Sequence, residues 1–167
     1  MLLTLPTPSP ADHSTAPVST AEARYGFAGV AIGATMTDLH NVRPKASCTP
    51  EKSGVVDCIA PDQPLGGGYF ARDLSYRFVE GRLAQIRFKS SIDGFAFVVA
   101  RLRHDFGAPA DIRRDNVRLY GLTFPHVAFT WRNGRSTIQM SDPVTLRQLA
   151  VTITIDTQKS RLGGAAA

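Results

Sequence analysis

No run of roughly eighteen apolar residues occurs anywhere in the chain, so the sequence holds no transmembrane helix. Lysine is scarce, with four Lys against fifteen Arg in 167 residues. Cysteine is scarcer still: Cys48 and Cys58 are the only two. The histidines, His13, His40, His104 and His126, are scattered without the paired spacing of a metal site. Also absent are a G-x-S-x-G elbow, an H-E-x-x-H pair, a P-loop and a dinucleotide fingerprint. The run Gly66-Gly67-Gly68 lacks the lysine and helix start of a phosphate loop. No catalytic residue, metal ligand or cofactor is therefore expected, and the chain reads as a binding protein rather than an enzyme.

What is present is enough apolar matter, 43%, to fill the core of one domain, with an ordinary 20% charged. The net charge of +5 admits an acidic protein surface, an anionic polymer or nucleic acid as partner. Because the basic residues are spread along the chain, with Arg113-Arg114 the only doublet, nucleic acid is the weakest of the three.

The segment "SCTPEKSGVVDC" holds both cysteines, with nine residues between them, Pro50, Ser53, Gly54 and Asp57 among these as turn formers. Neither a zinc pair nor a redox C-x-x-C has this spacing. A disulfide closing a short loop is the favoured reading, worth roughly 2–3 kcal/mol; two unpaired buried cysteines are the alternative. A disulfide implies an oxidising compartment. Residues 1–24 are rich in Pro, Ser, Thr and Ala and read as a flexible linker; they neither establish nor exclude export, and a signal or anchor segment trimmed from ahead of them is one explanation. Residues 157–167 read as a disordered tail, leaving a single domain over 25–156.

Within that domain "YGFAGVAIG" reads as a short strand. "TMTDLHNVRP" reads as a short helix with Thr35 as its cap, Asp38 completing a capping box, Pro44 as its stop, and Met36, Leu39 and Val42 on one side. The cysteine loop and a second loop, "APDQPLGGG", follow. A hairpin turning at Glu80-Gly81 comes next, with Tyr76, Phe78, Ile86 and Phe88 alternating around it. Phe95, Val98, Val99, Leu102 and Phe106 form the stripe of a second helix, capped by Ser91 or Asp93 and ended by Gly107 and Pro109. After a loop through "PADIRRDN", "VRLYGLTF" reads as a strand, and His126 precedes another. A second hairpin turns at Asn133-Gly134 as a type I′ turn, and "LAVTITID" is the last strand, with Val151, Ile153 and Ile155 pointing one way. The expected fold is α+β: an antiparallel sheet of four to six strands with two helices packed on one face, two helix-plus-hairpin units being one arrangement of it.

The alternation puts Tyr76, Phe78, Ile86, Phe88, Phe129 and Trp131 toward the helices. It leaves Arg77, Arg87, Lys89, Thr130, Arg132 and Gln139 on a wet, positive face. Of these, Arg77, Arg87, Lys89, Arg132 and Gln139 are the candidate partner-binding residues. A pocket between the second helix and the sheet, for a small ligand or a substrate, is the runner-up.

Together "GVAIGATMTDL", the two cysteines around a Gly-containing loop and the aromatic-rich strand after them resemble the β-lactamase inhibitor protein-like superfamily. That superfamily includes small bacterial outer-membrane assembly lipoproteins. Gly33-Ala34-Thr35 and Leu39 stand at its "G-M-T" helix start, with alanine in the methionine position, and "LRHDFGAP" is similar to its helix end. The resemblance implies a helix-backed sheet in an exported protein, periplasmic or secreted, that binds other proteins through its sheet and loops.

Overall fold

The computed structural model describes residues 25–51, 54–133, 136–145 and 148–155; the expected linker, the tail and the end of the domain at residue 156 lie outside them. A small hairpin, β1 (Gly26–Phe27) and β2 (Val30–Ala31), precedes α1 (Met36–Val42). Five strands follow: β3 (Ser47–Pro50), β4 (Val55–Ile59), β5 (Gln63–Gly66), β6 (Tyr69–Val79) and β7 (Arg82–Ser91). A 3-10 turn, Ile92–Gly94, leads into α2 (Phe95–Phe106), and β8 (Asp111–Leu119), β9 (Leu122–Asn133), β10 (Ser136–Thr145) and β11 (Gln148–Ile155) complete the order.

The expected α+β class is corrected by this inventory. The chain is mostly β: one nine-stranded antiparallel sheet, ordered β3-β4-β6-β7-β11-β10-β9-β8 with β5 on β6, plus the two-stranded β1-β2. The expected helix-plus-hairpin units are corrected too. Each helix is followed by a meander, and the last strands of the two meanders, β7 and β11, pair antiparallel in the middle of the sheet.

Three segments expected to be loops are strands. The cysteine segment is the hairpin β3-β4, "APDQPLGGG" contains β5, and "PADIRRDN" begins β8. None carries the alternation that betrays a half-buried strand. β8 is an edge strand with Asp111, Arg113, Arg114, Asp115 and Arg118 on it, the charges that keep an open edge from pairing with another chain. "VRLYGLTF" is not one strand but the turn between two, with Tyr120 and Gly121 both at positive φ (53° and 80°).

Local chemistry explains the elements that were expected. At α1 the Thr35 hydroxyl accepts from the Asp38 amide at 3.2 Å, while the Asp38 carboxylate accepts from the Thr35 amide at 2.8 Å. Only Leu39 of its expected apolar side is buried; Met36 and Val42 are exposed. The β6-β7 hairpin turns through Glu80 and Gly81, both at positive φ. A register shift beside Arg77 lets Tyr76 and Phe78 face Ile86 and Leu83, so all four point inward. α2 buries Val98, Val99 and Leu102, and half-buries Phe95 against Phe129 and Phe106 against Tyr25. The Trp131 indole N–H donates to the Gly107 carbonyl at 2.9 Å, tying β9 to the end of that helix. Across β9-β10, Asn133 pairs with Ser136, so the connection is 134–135, one position later than expected; those two residues lie outside the described ones. Of the last strand, Val151 is buried in the core, and nothing further is described for the side chains of Ile153 and Ile155.

Candidate partner-binding face

Side chains alternate along a strand, and residues paired across strands share a face. The registers therefore lay out the face opposite the core row by row. One row runs Asp57, Arg77, Gln85 and, on the far side of β11, Thr137 and Arg132. The next runs Ser75, Arg87 and, on the far side of β11, Gln139, Thr130 and Asp111. A third passes Lys89, Ala150, Ser141, Ala128 and Arg113.

The five candidate residues share this face but do not form one patch. Arg77 and Arg132 lie four strand steps apart, roughly 19 Å. Arg87 and Gln139 are two steps apart, roughly 10 Å. Two of the cations are already engaged. Arg77 makes a bidentate pair with Asp57, at 2.8 Å from Nε and 2.6 Å from Nη2, and lies 3.8 Å from Glu51. Lys89 bonds Asp73 at 2.9 Å. The hydrogen bonds from Arg77 hold the Asp57 carboxyl below its ordinary value, and those to Asp57 push the Arg77 guanidinium up. Arg87, Arg132 and Gln139 remain exposed, whereas Thr130, expected in solvent, is 9% exposed. The face is therefore of mixed charge rather than positive.

His126 was the residue the sequence undervalued. It does not precede a strand; it lies within β9, opposite Asp115 of β8. Its Nδ1 donates to Asp115 Oδ1 at 2.6 Å, and Arg113 Nε forms an ion pair with the other carboxylate oxygen at 3.1 Å. The imidazole is nearly buried, at 10% exposure. Beside it opens a groove of about 290 Å³ lined by Asp111, Arg113, His126, Thr130, Gln139 and Ser141. The signal was there in part: His126, Ala128 and Thr130 alternate with Val127 and Phe129. With β8 unread as a strand, nothing placed Asp115 or Arg113 beside the histidine.

This groove offers hydrogen bonds and paired charges, not an activated nucleophile. The hydroxyl-to-carboxylate hydrogen bonds among the described residues, Thr35 to Asp38 and Ser91 to Asp93, are helix caps. Among the described residues no three His, Cys, Asp or Glu side chains gather as metal ligands.

Two other features bear on the reading. Cys48 and Cys58 are joined as a disulfide between directly paired residues of β3 and β4. A small apolar pocket lies between α2, Phe88 and the β1 segment, with Phe27, Phe97 and Leu102 in its walls and Arg101 and Asp105 at its lip. Its volume, near 150 Å³, falls below the roughly 300 Å³ at which small-molecule sites begin. Among the described residues no helix is long and apolar enough to cross a membrane. No protein-family model, curated protein or solved structure matches this chain.

Proposed function

We propose that the protein is an exported, non-enzymatic protein-binding module of the bacterial envelope, an assembly factor or an inhibitor, periplasmic or secreted. It docks its partner on the polar face of the long sheet, as the β-lactamase inhibitor protein-like superfamily it resembles presents sheet and loops. The observation that carries this reading is the open face spanning β7, β11, β10, β9 and β8, with Arg87, Arg132 and Gln139 exposed beside the His126 groove. The disulfide supports export, since such bonds persist in oxidising compartments.

The partner is a protein surface of mixed charge. Asp57, Asp73, Asp111 and Asp115 stand among the cations of the face, so an anionic polymer or nucleic acid would meet four carboxylates there. The runner-up, a small-ligand carrier or enzyme built on the helix–sheet pocket, is disfavoured by that pocket's volume.

The test is site-specific photo-crosslinking in intact cells from positions 87, 132 and 139, with Ala100 on the exposed side of α2 as control. A common adduct from the three sheet positions and none from Ala100 is expected. No adduct from the sheet, or equal labelling from Ala100, overturns the reading.

A further inference from the structure

β10 pairs with β9 only as far as Asp142 opposite Val127. Beyond that point, among the described residues, β8 and β9 pair only with each other: five residue pairs, Asp115 with His126 through Leu119 with Leu122, extend as a two-stranded arm roughly 17 Å long. Pro125 lies in this arm and has no N–H to offer a third strand.

The arm is amphipathic. Val117, Phe124 and Leu122 share one face, and Asn116, Arg118, Thr123 and Arg114 the other. Leu122 is 61% exposed and Tyr120, at the tip, 81% exposed. Tyr120 sits at a positive φ of 53°, where a turn of this kind favours Asn, Asp or Gly. A bulky aromatic in a disfavoured backbone conformation, with no ring contact among the described residues, adds little to the described core. Such an outlier points to function.

Charge identifies what the tip meets. Over Asp115–His126 and its base, Arg113, Arg114 and Arg118 stand against Asp115 alone, which Arg113 already pairs. Arg114 and Arg118 are exposed and have no ion pair among the described residues. The arm is thus cationic where the sheet face is balanced. It is also narrow: two strands wide, it presents roughly a few hundred Å², well short of the roughly 800 Å² per partner of a stable protein interface. A bilayer surface asks for less. Tyrosine settles at headgroup level, a leucine enters the acyl boundary, and arginine stems reach back to anionic phosphates.

We propose that the tip of the β8-β9 arm, Tyr120 and Leu122 with Arg114 and Arg118 behind them, anchors the protein to an anionic membrane surface. This stands apart from the sheet-face reading and survives its failure. The test is vesicle flotation of the whole protein with phosphatidylcholine vesicles, with and without phosphatidylglycerol. Binding to the anionic vesicles alone is expected, weakening as salt is raised. Tyr120→Ser with Leu122→Ser should weaken it about tenfold or more, with an unchanged melting curve because neither side chain packs in the core. Arg114→Gln with Arg118→Gln should remove the preference for phosphatidylglycerol. Absence of binding, or binding that both double variants retain, overturns the proposal. So does a dimer in sedimentation that the tip variant abolishes, which would make the tip a contact between copies.

Discussion

Cys48 and Cys58 stand directly opposite each other on β3 and β4, their Cα atoms 4.0 Å apart, so the disulfide fastens β3 to the strand it pairs with among the described residues. β3 is four residues long and contains Pro50, which cannot donate to the ladder. Its attachment depends on the sulfur bridge more than on hydrogen bonds.

Replacing both cysteines by alanine should therefore lower stability by roughly 2–3 kcal/mol, the loop-closure value for about eleven residues. Urea unfolding of the variant and of the oxidised parent measures it. Hydrogen exchange should show β3 amides losing protection first, while the β6-β7 amides keep theirs. A uniform loss across the sheet would assign the bridge a global role instead.

Trp131 makes a second long-range tie. It is 1% exposed, stacks on Phe129 with ring centroids 6.0 Å apart, and donates to Gly107 at the end of α2. Trp131→Phe deletes that hydrogen bond and part of the indole volume, and should cost about 1–3 kcal/mol. Trp131→Ala should cost about 3–5 kcal/mol. Thermal melts followed by far-UV dichroism check both, since the single tryptophan is lost as a probe.

What the sequence disclosed follows from the range of the interactions involved. The Thr35–Asp38 capping box and the Glu80-Gly81 turn are made by neighbours, so their chemistry is written in adjacent letters. The stripe of α2 is legible for the same reason. Arg77 and Asp57 are twenty residues apart, and Arg77 looks like a free surface cation until the register of β4 on β6 is known. The strand count failed at the edges, where β3, β5 and β8 each pair with one strand among the described residues and carry no apolar alternation. Tyr120 hid a turn because tyrosine is not a residue that turns select. Missing β8 then hid the Arg113–Asp115–His126 chain and the groove beside it.

The Arg77–Asp57 pair gives a pH prediction. Hydrogen bonds from Arg77 keep Asp57 ionised below the ordinary carboxylate range in the folded protein. The group then contributes stability that is present above its unfolded pKa and is lost as pH falls through the folded value. Arg77 has 42% of its side chain in solvent, so the contribution is that of a surface pair, about 0.5–1 kcal/mol. Asp57→Asn should lower stability at neutral pH by about that amount and flatten the acid limb of the stability curve. Acid titration of the melting temperature in parent and variant measures both effects.

Asp142 behaves in the opposite sense. It lies on the core side of β10, opposite Val127, and burial raises its carboxyl above the ordinary value, with the nearby His126 charge acting in the other direction. A raised folded pKa means that the native state holds the proton more tightly than the unfolded chain does. This group's contribution is therefore fully present below the unfolded pKa and is lost as pH rises toward the folded one. At neutral pH the folded protein carries a half-buried carboxylate that the unfolded chain would solvate freely. Asp142→Asn keeps the shape, removes the charge, and should make the protein more stable at neutral pH than its parent. The gain should vanish in acid, where Asp142 is itself neutral. Urea midpoints of the two proteins, compared at neutral and at acid pH, decide the matter. An asparagine variant that is less stable at neutral pH would mean that the Asp142 carboxylate is held there by an attraction stronger than its burial.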